Sequence, residues 1–352
     1  MFERMKNNRF HACATCIHFF AKKTSNGMKY QCERLGYDTQ PAYQFNCWTP
    51  RKHVVALMNK EMGGIFMKNI QSVHWLYENI ERENVRIIDC RFSLSDPEAG
   101  RKAYERNHIK GALYFDLEKD LSGEVKKHGG RHPLPSIDIL TKKLEKAGID
   151  ENTVVIAYDH GEEAFATRFW WLLTYLGHEH VYILDGGYKE WLENEYPISS
   201  EIPTYDTTVF PLHIKAEMLA TYQDVKNITN NKESVLIDSR ARNRYIGYEE
   251  PIDRKPGHIP TAINKEWTDC FHDGKWKTAK EQAKRFSDIH KNTPLVVYCG
   301  SGVTATSNVL ALQEAGYKNV KLYVGSYSDW VSYDDNEVET GQGNDRKRQD
   351  NK

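Results

Sequence analysis

Short, unbroken apolar runs alternate with longer stretches of helical character along most of the chain. Val85–Asp89, Val154–Tyr158, Val235–Asp238 and Leu295–Tyr298 are such runs. Continuous rather than alternating apolar character predicts strands covered on both faces, as in a parallel sheet between helices. Phe165–Leu176 carries apolar side chains on nearly every side, which predicts a sandwiched helix. The expected class is therefore α/β. Two stretches break the alternation. The segment from Tyr196 to Thr208 holds two prolines and no helical period, so residues 198–213 read as a linker. From Glu337 the chain is charged and nearly free of apolar residues, and 337–352 reads as a disordered tail.

The chain also repeats itself. Arg86-Ile-Ile-Asp-Cys-Arg91 returns as Val235-Leu-Ile-Asp-Ser-Arg240, and His108-Ile-Lys-Gly-Ala112 as His258-Ile-Pro-Thr-Ala262. Val154–Asp159 matches Pro294–Cys299, and Val181–Trp191 matches Val320–Trp330. The first two matches are 149 and 150 positions apart (238−89 and 258−108), the last two 140 and 139 (299−159 and 330−191). Conserved order with near-constant spacing marks a duplication. The step in spacing places an extra loop, Gly123 to His132, in the first half. The resulting division is a front segment 1–66, a first domain 67–197, the linker 198–213, a second domain 214–336 and the tail.

Charge and composition narrow the function. The 352 residues carry 48 basic and 49 acidic side chains, a net charge of −1, which argues against an extended nucleic-acid surface. No apolar run approaches the roughly 18 residues of a membrane span. Cys13 and Cys16 occupy the region where a signal peptide needs an apolar core, so a cytoplasmic protein is expected. Four of the seven cysteines (Cys13, Cys16, Cys32, Cys47) fall in the first 50 residues. An odd total in a reducing compartment does not suggest a disulfide framework.

Cys299 is the strongest catalytic candidate. It follows the buried run Leu295–Tyr298 and opens Cys299-Gly-Ser-Gly-Val-Thr-Ala305, which leads into a helical stretch. Sites in open α/β sheets form at the carboxyl ends of strands. Two glycines let backbone N–H groups turn inward, and a helix N-terminus adds partial positive charge. Such a cradle favours a thiolate, and equally a persulfide anion. The bland alternative is a small apolar residue ending a core strand. The first half is an internal control: it has Asp159 at the equivalent position, so the fold itself needs no sulfur there. Cys90 has Ser239 as its counterpart, and Cys270 reads as an incidental thiol.

The Asp-x-Arg strand ends, the His-Ile-x-x-Ala turns, Gly130-Arg-His-Pro-Leu-Pro135, Leu184-Asp-Gly-Gly187 and the Cys299 loop together resemble tandem-domain sulfurtransferases of the rhodanese superfamily, from about Met67 to Trp330. The resemblance implies two rhodanese-like domains, each a parallel sheet with helices on both faces, the first inactive and the second catalytic. It implies sulfur transfer through a Cys299 persulfide, without a cofactor, from a small-molecule donor to a thiol acceptor such as a thioredoxin-like dithiol. Thiosulfate-preferring members carry a basic pair after the cysteine; here those positions are Gly300 and Ser301, as in 3-mercaptopyruvate sulfurtransferases. Thiosulfate:cyanide transfer is the alternative, and a non-catalytic binding module the remote one. Arg244 and Arg254 match that subfamily's substrate-binding arginines, although their spacing of ten (254−244) is one longer than expected. Gly300, Gly302, Val303 and Thr304 are expected to contact substrate. Ser301 with His108 is the expected relay, with Asp96 or Glu98 as its acid; a structural turn is the other reading of His108, since His258 repeats it. Phosphatases of this fold need Cys-x5-Arg, and the sixth residue after Cys299 is Ala305.

The front module has Cys13-x2-Cys16-x15-Cys32-x14-Cys47, four soft ligands suited to a tetrahedral structural zinc ahead of iron. A segment of this size builds little core, so a metal would supply stability. The sulfurtransferase resemblance starts at Met67 just after Gly63-Gly64, which suggests two reading frames made continuous.

Overall fold

The computed structural model describes residues 67–342 without a break, together with most of residues 12–43. Two compact units divide the chain near Met67. In the first, strands Phe19–Thr24, Gly27–Cys32 and Tyr37–Asp38 form an antiparallel sheet in that order. Cys32 pairs in register with Phe19, whose amide bonds the Cys16 carbonyl at 3.2 Å, so both buried cysteines belong to one end of the sheet. Cys13 and Cys47 lie outside the described residues. Among the described residues no group of three or more potential metal ligands comes together.

The second unit holds two five-stranded parallel sheets of the same order. In the first, Ile70–Gln71, Val181–Leu184, Val154–Tyr158, Val85–Asp89 and Ala112–Tyr114 lie side by side. In the second, Leu219–Ala220, Val320–Tyr323, Leu295–Tyr298, Val235–Asp238 and Ile263–Asn264 repeat that order. Helices flank both sheets, and the central strands are almost wholly buried, as their apolar runs require.

The repeated Asp-x-Arg motif is an anchor. Asp89, fully buried, pairs with Arg91 at 2.6 Å and accepts the Tyr158 hydroxyl at 2.6 Å; Arg91 in turn donates to the Asn107 carbonyl. Asp238 and Arg240 repeat the pair at 2.6 Å, with Arg240 donating to the Gly257 carbonyl. Each pair ties the end of a central strand to the His-Ile turn. Removing one partner would leave a buried charge alone, a loss of about 3–5 kcal/mol.

Both segments expected to be irregular clamp those turns. Ile198–Ser199, in the linker, runs antiparallel to His108–Ile109. In the second half Glu339 does the same to His258, through backbone bonds of 2.8 and 2.9 Å, and the Gly341 amide reaches the Ile246 carbonyl at 2.8 Å. The expected disordered tail therefore does not begin at 337: residues 337–342 are an ordered part of the second domain. Sparse apolar content misled because this strap is held largely by hydrogen bonds, with Val338 alone of its side chains packing against the core.

Helices Phe165–Tyr175 and Ala305–Glu314 meet between the halves, where the Thr167 hydroxyl bonds Thr306 and Ser307 at 2.8 and 3.1 Å. The extra loop of the first half crosses to the second. Its Gly129 amide donates to Asp329 at 2.7 Å, and its Arg131 amide to Ser328 at 3.2 Å. Gly130 is obligatory there: it has φ +81°, and a Cβ would sit 2.3 Å from the Gly325 carbonyl oxygen.

Candidate functional site

Cys299 ends strand Leu295–Tyr298 and is buried, 2% exposed. The Gly302 amide donates to its sulfur at 3.1 Å. Gly302 has φ +78°, and a Cβ would lie 2.2 Å from the Val324 carbonyl oxygen, so only glycine turns this amide inward. Ser326 braces the corner by accepting from the Cys299 amide at 3.1 Å and donating to the Tyr323 carbonyl. Val303 and Thr304 form the turn into helix Ala305–Glu314, whose N-terminus adds partial positive charge. An inward amide at a helix start favours sulfur as an anion.

The first half supplies the rest. Ser301 Oγ meets His132 Nδ1 at 2.8 Å. Burial, with the Arg168 and Arg131 charges adding to it, lowers His132 to about 4, so the ring is neutral at ordinary pH and free to exchange a proton. Arg168, from helix Phe165–Tyr175, is fully buried and spans the two halves. Its guanidinium donates to the carbonyls of Gly302 (3.0 Å), His132 (3.1 Å), Leu121 (3.2 Å) and Pro133 (3.3 Å). Burial lowers Arg168 to about 10, and the Cys299 sulfur opposes that shift. The guanidinium stays charged, and among the described residues it bonds backbone carbonyls rather than a carboxylate. It fixes the cysteine loop and the His132 backbone together.

Arg244 lies beside the loop: a Cβ on Gly300 would stand 3.7 Å from both of its terminal nitrogens. It is held by Glu250 at 2.7 Å and Asp253 at 2.8 Å. Burial pushes Glu250 up, but hydrogen bonds from Arg244 and the Asp253 and Ile252 amides outweigh it and hold the carboxylate below its usual range. Arg254 does not join Arg244. It is 60% exposed and pairs with exposed Asp334 at 3.0 Å. Arg131, from the first half's extra loop, comes to the cysteine loop instead, 2.9 Å from where a Gly300 Cβ would be, and pairs with Asp253. A cleft of about 260 Å³ opens beside these groups, lined in part by Lys127, Arg131, Asp253 and Arg254.

The expected Ser301–His108 relay is not assembled. His108 turns Nδ1 to the Tyr104 carbonyl at 2.7 Å and Nε2 to the Glu201 carbonyl at 3.0 Å, and stacks on Tyr104. His258 repeats the first of these bonds on Tyr245, so the pair is part of the turn. Asp96 and Glu98 are exposed, Glu98 pairing with Lys119 at 2.8 Å, and among the described residues His132 bonds Ser301 rather than a carboxylate. Two residues were missed, Arg131 and His132. Their signals were the ten-residue excess of the first half, which ends on them, and the Gly130–Pro135 motif that contains both.

Residues 72–194 and 221–333 each match the rhodanese-like domain family. The chain is 38% identical over 272 residues to a probable 3-mercaptopyruvate sulfurtransferase of Pseudomonas aeruginosa, covering 76% of this chain and 96% of that one. It is 30% identical to thiosulfate sulfurtransferase of Mus musculus, covering 80% and 98%. The crystal structure of a 3-mercaptopyruvate sulfotransferase from Escherichia coli superposes with TM-score 0.67 at 30% identity, covering 74% and 98%. With its duplicated parallel sheets and a strand-end cysteine in the second, the chain belongs to the rhodanese family of sulfurtransferases.

Proposed function

We propose that the chain moves sulfur from 3-mercaptopyruvate to a thiol acceptor through a persulfide on Cys299. The Cys299 thiolate attacks the donor sulfur; the new S–S bond forms as the S–C bond breaks, and its electron pair passes to the pyruvate enolate. Ser301 delivers the proton that turns enolate into pyruvate, and neutral His132 re-protonates Ser301 from solvent. The persulfide, held by the Gly302 amide, then gives its outer sulfur to an incoming thiolate, restoring Cys299. Covalent storage lets donor and acceptor react in turn without meeting. Arg244 and Arg131 are the cations for the donor carboxylate. The observation that carries this reading is the Ser301–His132 pair placed on the cysteine loop.

Turnover with 3-mercaptopyruvate and with thiosulfate, on the intact chain and on Cys299→Ser, tests it. Activity should vanish in the variant, and donor treatment should add about 32 Da to the peptide holding Cys299. Equal rates for both proteins end the assignment; a thiosulfate preference overturns the donor alone. A thioredoxin-like dithiol is the acceptor we expect, in a reducing cytosol. No helix among the described residues is long and apolar enough to cross a membrane. For the front module we propose a structural zinc on Cys13, Cys16, Cys32 and Cys47, tested by metal analysis of the purified chain.

A further inference from the structure

Beside Gly300 the two cations expected to receive a donor's carboxylate already hold one. The Asp253 side chain is 2% exposed and lies between Arg131 and Arg244, its Oδ2 2.8 Å from Arg244 and its Oδ1 on Arg131. Arg131 and Asp253 also line a cleft, and Arg131 and Arg244 both stand beside Gly300. The fork is therefore occupied by the protein's own anion. The one-residue excess between Arg244 and Arg254 accompanies this arrangement, with Arg254 turned to the surface and Asp253 inward.

Within the ion-paired network the charges balance: Arg131, Arg240 and Arg244 face Asp238, Glu250 and Asp253, three against three. Asp238 is committed to Arg240, and Glu250 is shared by Arg240 and Arg244 and accepts the Asp253 and Ile252 amides. Asp253 is the acidic member whose carboxylate, among the described residues, rests on the two arginines alone. An arriving anion must displace it or share the fork with it. Coulomb energy is linear in charge, so the resident carboxylate penalises a dianion about twice as much as a monoanion, counted in free energy.

We propose that Asp253 is a specificity-determining residue: an internal carboxylate that reserves the Arg131–Arg244 fork and biases it toward a singly charged carboxylate donor over doubly charged thiosulfate. This deepens the donor assignment above and rests on it. It assigns the discrimination to a residue outside the cysteine loop, on the strand-to-turn segment that carries Arg244.

Titration calorimetry with pyruvate and with thiosulfate tests the proposal, on the intact chain in a Cys299→Ser background so that no sulfur moves. Asp253→Asn should tighten pyruvate by about threefold and thiosulfate by about tenfold, the square of the first factor. KM in the Cys299-containing protein should follow, shifting kcat/KM toward thiosulfate by about threefold. Unchanged or weaker binding of both anions, or equal gains, overturns the proposal, because Asp253 then only aligns the arginines. Asp253→Ser repeats the measurement without an amide. If neither variant folds, Asp253 serves the loop's stability and the proposal also falls. A wild-type chain that turned over neither donor would sink the sulfur-transfer reading while leaving the binding result standing.

Discussion

The two strand-to-helix corners, Tyr158–Phe165 and Tyr298–Ala305, share a fold position and differ in what fills it. In the second half the Gly302 amide points at a sulfur. In the first, the amides of Gly161 and Ala166 bond the Asp159 carboxylate at 2.9 and 3.1 Å. Both corners therefore aim backbone N–H groups at the side chain that follows the strand. One holds a carboxyl group and the other a thiol. The two halves share the cradle and differ in its occupant, and the proposed chemistry needs only the sulfur.

The largest expected effect comes from erasing that difference. Cys299→Asp gives the second corner the first corner's occupant; the fold should survive, while sulfur transfer falls by about 10³-fold or more, read as lost turnover and no persulfide mass. Arg168→Met attacks what joins the corners. It keeps the apolar bulk but strips four buried carbonyls of a donor, so about 3 kcal/mol of stability should go, seen as a lowered urea midpoint. His132→Gln and Ser301→Ala should each lower kcat for 3-mercaptopyruvate by about 10–100-fold, and the double variant little further, since the two act as one unit.

The smallest effect belongs to the silent corner. Burial, with the Asp159 charge behind it, pushes Glu163 up to about 8. A folded-state value above the unfolded one means stability is fully present below about 4.5 and declines as pH rises toward 8. Glu163→Gln should therefore raise the urea midpoint at pH 8.5 and leave it unchanged at pH 4. Turnover at pH 7 should not move. A shift in turnover would mean that the two corners are coupled.

The sheets were legible because their central strands are buried on both faces and so read as unbroken apolar runs. Cys299 was legible because its neighbours are glycines and its counterpart is an aspartate. What escaped was everything set by contacts between the halves. His108 sits in a repeated motif and looked functional, yet repetition marks a need common to both halves, here a turn. His132 and Arg131 are unrepeated and lie about 170 residues before the loop they approach (Ser301 and His132 are 169 apart in sequence), a pairing that periodicity does not encode. Arg254 was misplaced by a single extra residue, which rotates a loop side chain outward without disturbing any periodicity.

The strap made by residues 339–341 carries a practical consequence. It grips His258 and Ile246, the two ends of the segment that bears Glu250 and Asp253, and Ile246 is two residues from Arg244. Whatever disturbs residues 339–341, such as a carboxypeptidase, a fused tag or a premature stop codon, should act on the proposed donor-binding fork. Preparations differing only at that terminus should differ in apparent donor affinity before they differ in melting temperature.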